Sequence, residues 1–351
     1  MPLPPSPVIK GAYFRDLMAQ PEVLRAAAAK LSGTSLDPAL ADGLRTGRFR
    51  RVVLTGMGSS LHAAWPLHRA LSHAGIASHW LETSELLTGF DSLIRPDTLL
   101  LAVSQSGESA EVASLMERAG EFGHVIGVTN NETSRLGLAC TTRLGMEAGV
   151  ESTVSCKTYL ASLAVLHWLG AQLLRDGGGL IPPQIHQAAQ AVREYLARWE
   201  SHVDALLPMV RGIDSIFVTG RGDSLATAGT GGLILKEATR RPAEGMSSAA
   251  FRHGPLEMAG PNVLVLIFEN GAATAPLQHR LVDDILRAGG KAILVGTSAS
   301  GSAVFQLPLL TAGLQTLAEI LPVQMLSLAL AARDGVEAGR FERASKITHV
   351  S

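Results

Sequence analysis

The sequence predicts an α/β protein made of two tandem doubly wound parallel-sheet domains, and three observations carry that reading. Residues 50–63 recur 164 positions later at 214–227, where Thr-Gly-x-Gly-x-Ser-Leu of 55–61 returns at 219–225. The next apolar run, 99–103, is answered by 263–267 at the same offset. Short apolar stretches bounded by Gly and Ser alternate with longer segments of helical spacing, the pattern of parallel strands covered on both faces. A chain of 351 residues has room for both copies. The expected division is a leader with helices at 1–45, a first domain at 46–180, a second at 181–335 and a tail at 336–351.

Taken in order, the opening Met-Pro-Leu-Pro-Pro-Ser-Pro lacks the charged-then-apolar pattern of a secretory signal and reads as a loose leader. Residues 13–31 carry apolar positions at helical spacing, and Pro21 divides them into two helices. Strands are expected at 52–54, 77–80, 98–103, 125–128 and 142–144, then at 216–218, 263–268, 292–295 and 304–307. Gly177-Gly178-Gly179 through Pro182-Pro183 marks a hinge, and a helix over 184–207 leads into the second copy. The apolar stretch 314–332 is interrupted by Glu319 and Pro322, which predicts a buried helix rather than a membrane span.

With 46% hydrophobic residues, 17% charged residues and a formal net charge of −1, the composition is that of a soluble globular protein. No run of like charge invites nucleic acid or a membrane surface. Cys140 and Cys156 have neither metal-ligand spacing nor the numbers for a disulfide framework, which fits a reducing cytoplasm.

Ligands of such sheets sit beyond the carboxyl ends of the strands. Three first-half loops fall there: Gly56-Met57-Gly58-Ser59-Ser60, Ser104-Gln105-Ser106-Gly107-Glu108-Ser109, and Glu151 to Lys157, which precedes a long apolar helix. Backbone N–H groups at helix starts and serine hydroxyls suit a phosphate. Serines of this kind also cap helices with no ligand present. The second copy replaces Ser104–Ser109 by Phe268-Glu269-Asn270-Gly271-Ala272-Ala273, and this selective loss favours a ligand site kept by the first copy. Gly56-x-Gly58-x-x-Leu61 lacks the third glycine of a dinucleotide fingerprint, and no ATP-binding Gly-x-x-x-x-Gly-Lys-Ser/Thr stretch occurs.

Ser-Gln-Ser-Gly-Glu-Ser at 104–109, Leu235-Lys236-Glu237, Arg252-His253-Gly254-Pro255, the opening 13–21 and Lys346 together resemble the sugar isomerase (SIS) family. The tandem arrangement is similar to the isomerase half of glucosamine-6-phosphate synthase and to stand-alone aminosugar-phosphate deaminases and fructosamine-phosphate deglycases. The resemblance implies flavodoxin-like three-layer αβα domains. It implies sugar-phosphate contacts at Gly58, Ser59, Ser60, Ser104, Gln105, Ser106, Ser109 and Ser155. It also implies proton transfer by Glu237, ring opening by His253 reaching across a homodimer interface, and Lys346 on a C-terminal tail beside the sugar carbonyl. No metal or cofactor is implied, and the partner is a small phosphosugar.

These residue types make chemical sense. Moving a carbonyl between C1 and C2 needs one base serving both carbons, as a carboxylate does. Imidazole gives and takes a proton near neutral pH. A lysine stabilises an enediolate oxygen or forms a Schiff base with a ketose. Each has a plainer reading: Glu237 as a solvated helix residue, His253 as part of a turn, and Lys346 as a tail charge. The chain departs from the family at Thr230 and Ile234, where a glutamate and a lysine are usual, at Ala250, and in the slightly short spacing of Glu151 to Lys157. No glutamine-hydrolysing segment precedes the leader, so glutamine-dependent synthesis is not expected. The expected activity is deamination of an aminosugar phosphate, with aldose–ketose isomerisation, deglycation and a non-catalytic phosphosugar sensor as alternatives.

Overall fold

The computed structural model describes residues 9–176, 178–269, 271, 273–298, 303–311, 313–343 and 345–346. The loose leader at 1–8, Gly177 of the expected hinge, and 344 and 347–351 of the expected tail therefore lie outside the described residues. Two compact units are present. One holds the described parts of Glu22–Glu151, Lys157–Ala189 and Ser345–Ser351, the other those of Met1–Pro21, Ser152–Cys156 and Gln190–Ala344.

Helices α1 (Ala12–Met18), α2 (Gln20–Ser32) and α3 (Pro38–Thr46) precede the first sheet. Pro21 sits at the second position of α2, where its missing N–H has no intrahelical partner to lose. The first copy then runs β1 (Arg51–Gly56), α4 (Ser59–Ala63), α5 (Trp65–His73), β2 (Ser78–Glu82), α6 (Thr83–Thr88), β3 (Thr98–Ser104), α7 (Ala110–Glu117), β4 (His124–Thr129), α8 (Arg135–Ala139) and β5 (Thr142–Gly145). Its five strands are parallel in the order β2-β1-β3-β4-β5. All seven residues of β3 are buried, as a central strand with two covered faces requires. On one face Val53, Leu100, Ala102 and Val125 pack with Leu86, Val112 and Leu115.

The long apolar helix α9 (Lys157–Leu174) packs on α3, α4 and α5. Beyond it, α10 (Ile181–Leu196) and α11 (Trp199–Leu206) replace the single helix expected over 184–207. The start moves back because Pro182 and Pro183 occupy first-turn positions, which tolerate proline. A 3-10 turn at Gly178–Leu180 runs directly into α10.

The second copy follows as β6 (Ser215–Gly220), α12 (Ser224–Thr239), β7 (Ala243–Ser247), α13 (Ser248–Arg252), β8 (Val263–Phe268), α14 (Ala275–Arg287), β9 (Lys291–Val295) and α15 (Thr316–Asp334). Its sheet is also parallel, in the order β7-β6-β8-β9, and this repeats the first four positions of the other sheet. The strand expected at 304–307 is reduced to an isolated bridge between Gly296 and Gln306. Tyr195 donates its hydroxyl to the Val304 carbonyl at 2.7 Å, and Pro308 brings no N–H, so this segment has few groups left for a ladder. Edge strand β7 was not expected; Ala-Glu-Gly-Met-Ser has no β-branched residue to signal it.

The buried helix expected over 314–332 is α15, 19 residues long and continuous through Pro322. By length and hydropathy it could cross a bilayer, but 89% of its apolar window is buried within the protein. Its partners explain that burial: α12 and α11 pack along it, Tyr13 of α1 shares a 3.0 Å hydroxyl hydrogen bond with Ser327, and Gln20 and Gln324 exchange amide hydrogen bonds at 2.8 and 3.0 Å.

Candidate functional site

Strands β1 and β3 are adjacent, with Gly56 opposite Val103, so the loops that follow them leave the same edge of the sheet side by side. Here the strand order reverses direction, the switch point at which doubly wound sheets hold ligands. Gly58, Ser59 and Ser60 turn the chain from β1 into α4, with Gly58 at φ 54° and both serines half-buried. Ser104 is the last residue of β3, Gln105 and Ser106 form the loop, and Ser109 is the N-cap residue of α7.

The second loop is stiffened from within. Ser104 Oγ accepts the Gly107 N–H at 3.0 Å, and Ser106 Oγ accepts the Glu108 N–H at 3.2 Å. A hydroxyl that accepts in this way keeps its own hydrogen to donate. The next loop clamps it from outside. The Asn130 and Leu136 N–H groups donate to the carbonyls of Gln105 and Gly107, and the Arg135 N–H donates to Glu108 Oε1 at 2.8 Å. Gly107 has φ 66°, and a Cβ there would lie 2.0 Å from Ser134 Oγ, so only glycine fits. The loop is therefore held in place by the protein's own hydrogen bonds.

Lys346 belongs to the same unit. Its ammonium donates to Glu151 Oε2 at 2.8 Å, and Glu151 also accepts the Thr158 N–H at 3.1 Å and hydroxyl at 2.5 Å. The Glu151 side chain has no exposed surface, and that of Lys346 keeps 19% of its own. The sequence reading gave Glu151 no role of its own. Its signal was a lone acid in a Ser/Thr loop before an apolar helix.

The remaining candidates lie in the other unit. Glu237 is exposed near the C-terminal end of α12, next to Lys236, whose ammonium is 3.9 Å from Glu244. His253 is exposed as the C-cap of α13, just before Gly254 at φ 126° and a 3-10 turn at Pro255–Met258. The side chain before it is anchored through an Arg252–Asp284 ion pair. Ser155 is half-buried in the segment before α9. Thr230 and Ile234, the family departures, are both buried on α12, and Thr230 Oγ1 has no hydrogen-bond partner among the described residues.

The second copy carries carboxylates where the first carries neutral polar side chains: Gln105 and Ser155 are answered 164 positions later by Glu269 and Glu319. Glu269, directly after β8, accepts from His279 Nε2 at 3.0 Å and from the Ser298 hydroxyl, on the wall of an open cavity of about 750 Å³. Burial opposes its charge, but the hydrogen bonds from Ser298 and His279 hold its carboxyl below the ordinary range. Glu319 of α15 is fully buried and accepts Ser224 Oγ at 2.7 Å and Thr227 Oγ1 at 2.8 Å, both from the first turn of α12. Burial pushes its pKa up to about 7; the two hydroxyls pull it down and Asp223 pushes it further up.

Comparison with known proteins agrees with this duplicated architecture. The chain is 28% identical over 347 residues to a glutamine–fructose-6-phosphate aminotransferase (isomerizing) of Pyrococcus horikoshii, covering 93% of this chain and 56% of that protein. It is 30% identical over 269 residues to the enzyme of the same name from Aeropyrum pernix, covering 72% of this chain and 42% of that one. The chain thus spans about half the length of the curated relatives it matches. Among solved structures, the C-terminal domain of glucosamine-fructose-6-phosphate aminotransferase from Francisella tularensis superposes with a TM-score of 0.83 at 21% identity, covering 94% of this chain and 98% of that one. A glucosamine-6-phosphate deaminase from Thermotoga maritima superposes at 0.77 and 16% identity, covering 97% and 100%. These two structures share the fold. The SIS domain model matches residues 48–171 and again 209–333, one match on each copy, and the chain belongs to the SIS domain family.

Proposed function

We propose that this protein is a phosphosugar isomerase acting on an aminosugar phosphate, which it deaminates to a ketose phosphate. The observation that carries the reading is the braced loop after β3 beside the Gly58–Ser60 turn after β1. Ser104 and Ser106 accept their own loop's N–H groups and keep their hydroxyl hydrogens for an oxyanion. A sugar phosphate is the guest that combines such an oxyanion with a carbon skeleton on which the remaining candidates can act.

His253 opens the ring by taking the proton of the C1 hydroxyl and giving one to the ring oxygen as the C1–O5 bond breaks, leaving an aldehyde at C1. Glu237 removes the proton from C2 and returns it to C1 while the C1 oxygen gains a proton and the amine nitrogen loses one, so the C2–N bond becomes an imine and C1 an alcohol. Water adds to C2, the C2–N bond breaks, ammonia leaves, and a ketose remains. Lys346, held by Glu151, donates to the oxygen that carries charge in the enediol-like intermediate. If His253 reaches the sugar from a second subunit, the working form is a homodimer.

The deciding experiment incubates purified protein with glucosamine 6-phosphate, galactosamine 6-phosphate and their N-acetyl forms, and follows ammonia and ketose phosphate together. Equimolar ammonia and ketose, abolished in Glu237→Gln, is the expected result. Aldose–ketose exchange without ammonia assigns simple isomerisation. Tight binding without turnover across a wider phosphosugar panel assigns a sensor, the reading favoured by the buried Thr230 and Ile234 on α12.

A further inference from the structure

The two copies begin their first helices in the same way. Ser60 stands in the first turn of α4 and Ser224, 164 residues later, in the first turn of α12. Gly56 and Gly220 end the preceding strands, and a Cβ on either would press into the helix that follows: 3.2 Å from the Leu61 nitrogen in one copy, 2.8 Å from Ser224 Cβ in the other. Each helix therefore starts in close contact with its strand end, the geometry that presents N–H groups and a serine hydroxyl to an anion.

The copies differ in what that serine meets. Ser224 donates to Glu319, Thr227 donates to its other carboxyl oxygen, and all three side chains are buried without exposed surface beyond 1%. Glu319 itself stands 164 residues after Ser155, the position expected to touch the ligand in the first copy. α15 begins five residues ahead of Leu321, the counterpart of the first residue of α9 at the same offset, and the extra length carries Glu319. A buried carboxyl group that takes one hydroxyl on each oxygen at the start of a helix has the contacts of a bound carboxylate ligand.

We propose that Glu319 is a built-in ligand: its carboxyl group fills the second copy's counterpart of the phosphate site, so that each chain holds one phosphosugar, and deleting that carboxyl opens a cavity specific for a small carboxylate. The stoichiometry rests on the phosphosugar reading above; the filled site does not. Glu269 follows the same logic at the neighbouring loop, since it replaces Gln105 at the 164-residue offset and puts a charged carboxylate where a phosphate would be repelled.

The test is chemical rescue. Glu319→Ala and wild type are melted at pH 5 with 100 mM acetate, where a substantial fraction is the neutral acid that matches a Glu319 carboxyl of raised pKa, and with 100 mM chloride as the control. Acetate is expected to raise the melting temperature of Glu319→Ala by about 2–4 °C more than that of wild type, the shift of about 1 kcal/mol in a domain of this size, while chloride does not. Equal effects of acetate on the two proteins, or equal rescue by chloride, would overturn the proposal. Should Glu319→Ala fail to fold, titration of wild type with glucosamine 6-phosphate still decides: one site per chain is expected, and two sites would overturn it. A titration showing no binding counts against the phosphosugar reading alone, and the acetate experiment then stands by itself.

Discussion

The Lys346 ammonium lies 2.8 Å from Glu151 Oε2, across 195 residues of sequence. Glu151 also accepts the Thr158 N–H on Oε1 and the Thr158 hydroxyl on Oε2, so it is a fixed acceptor and Lys346 is the movable partner. A lysine near a chain end is ordinarily a mobile charge. Here a buried carboxylate gives it an address, and in the proposed mechanism the ammonium held there donates to a developing oxyanion. Glu151→Gln should lower kcat by about 10²-fold, the usual effect of losing one oxyanion donor, and leave KM nearly unchanged. Lys346→Ala should show the same split. A Glu151→Gln protein with wild-type kcat would show that the pair is structural only.

Glu237 is exposed on α12, which packs on α15, and its amide isostere keeps the shape of the side chain. Glu237→Gln should melt within about 0.5 kcal/mol of wild type, bind phosphosugar normally and lose about 10²–10⁴ in turnover. Exchange of the substrate's C2 proton with deuterated solvent is the direct readout. Persisting exchange in Glu237→Gln would move the base elsewhere.

Gly107 tests whether the proposed phosphate loop is preformed. With φ 66° and Ser134 Oγ 2.0 Å from the place of a Cβ, Gly107→Ala must either strain the loop or displace it. The expected cost is about 1–3 kcal/mol, appearing as weaker phosphosugar binding. Ser104→Ala and Ser106→Ala should each weaken binding by about 10-fold or more through a lost charge-assisted hydrogen bond, and leave binding of the unphosphorylated sugar unchanged. Equal losses for sugar and sugar phosphate would place the phosphate at another site.

What the sequence made legible follows from the range of each interaction. β3 is buried along its whole length, and a central parallel strand writes that as an unbroken apolar run. The loops Gly56–Ser60 and Ser104–Ser109 are contiguous, and their duplication offset gave each a control to be compared with. β7 was missed because an edge strand with a central glycine has no apolar alternation to display. The start of α10 was set too late because Pro182 and Pro183 were read as a break, although the first helical turn accepts proline. Glu319 was read as an interruption in an apolar stretch. It is a core residue whose two partners stand 95 and 92 positions away, and no local pattern encodes such a pairing.

That same carboxyl group sets an expected pH dependence of stability. Burial, offset in part by Ser224 and Thr227 and reinforced by Asp223, raises the Glu319 pKa from 4.5 to about 7. The folded state therefore keeps the Glu319 proton over a range in which the unfolded chain has released it. The stabilisation is fully present below about 4.5, fades as pH rises towards about 7, and is absent above it. A shift of this size corresponds to a loss on the order of 3 kcal/mol between those limits. Glu319→Gln has no proton to release, so its unfolding free energy should fall by correspondingly less between pH 5 and pH 8. Urea denaturation of both proteins at these two values measures the difference, and the comparison cancels the other titrating groups because they are common to both. Identical pH profiles would mean that Glu319 titrates near its ordinary value, and that the hydroxyls of Ser224 and Thr227 offset the cost of burying its charge.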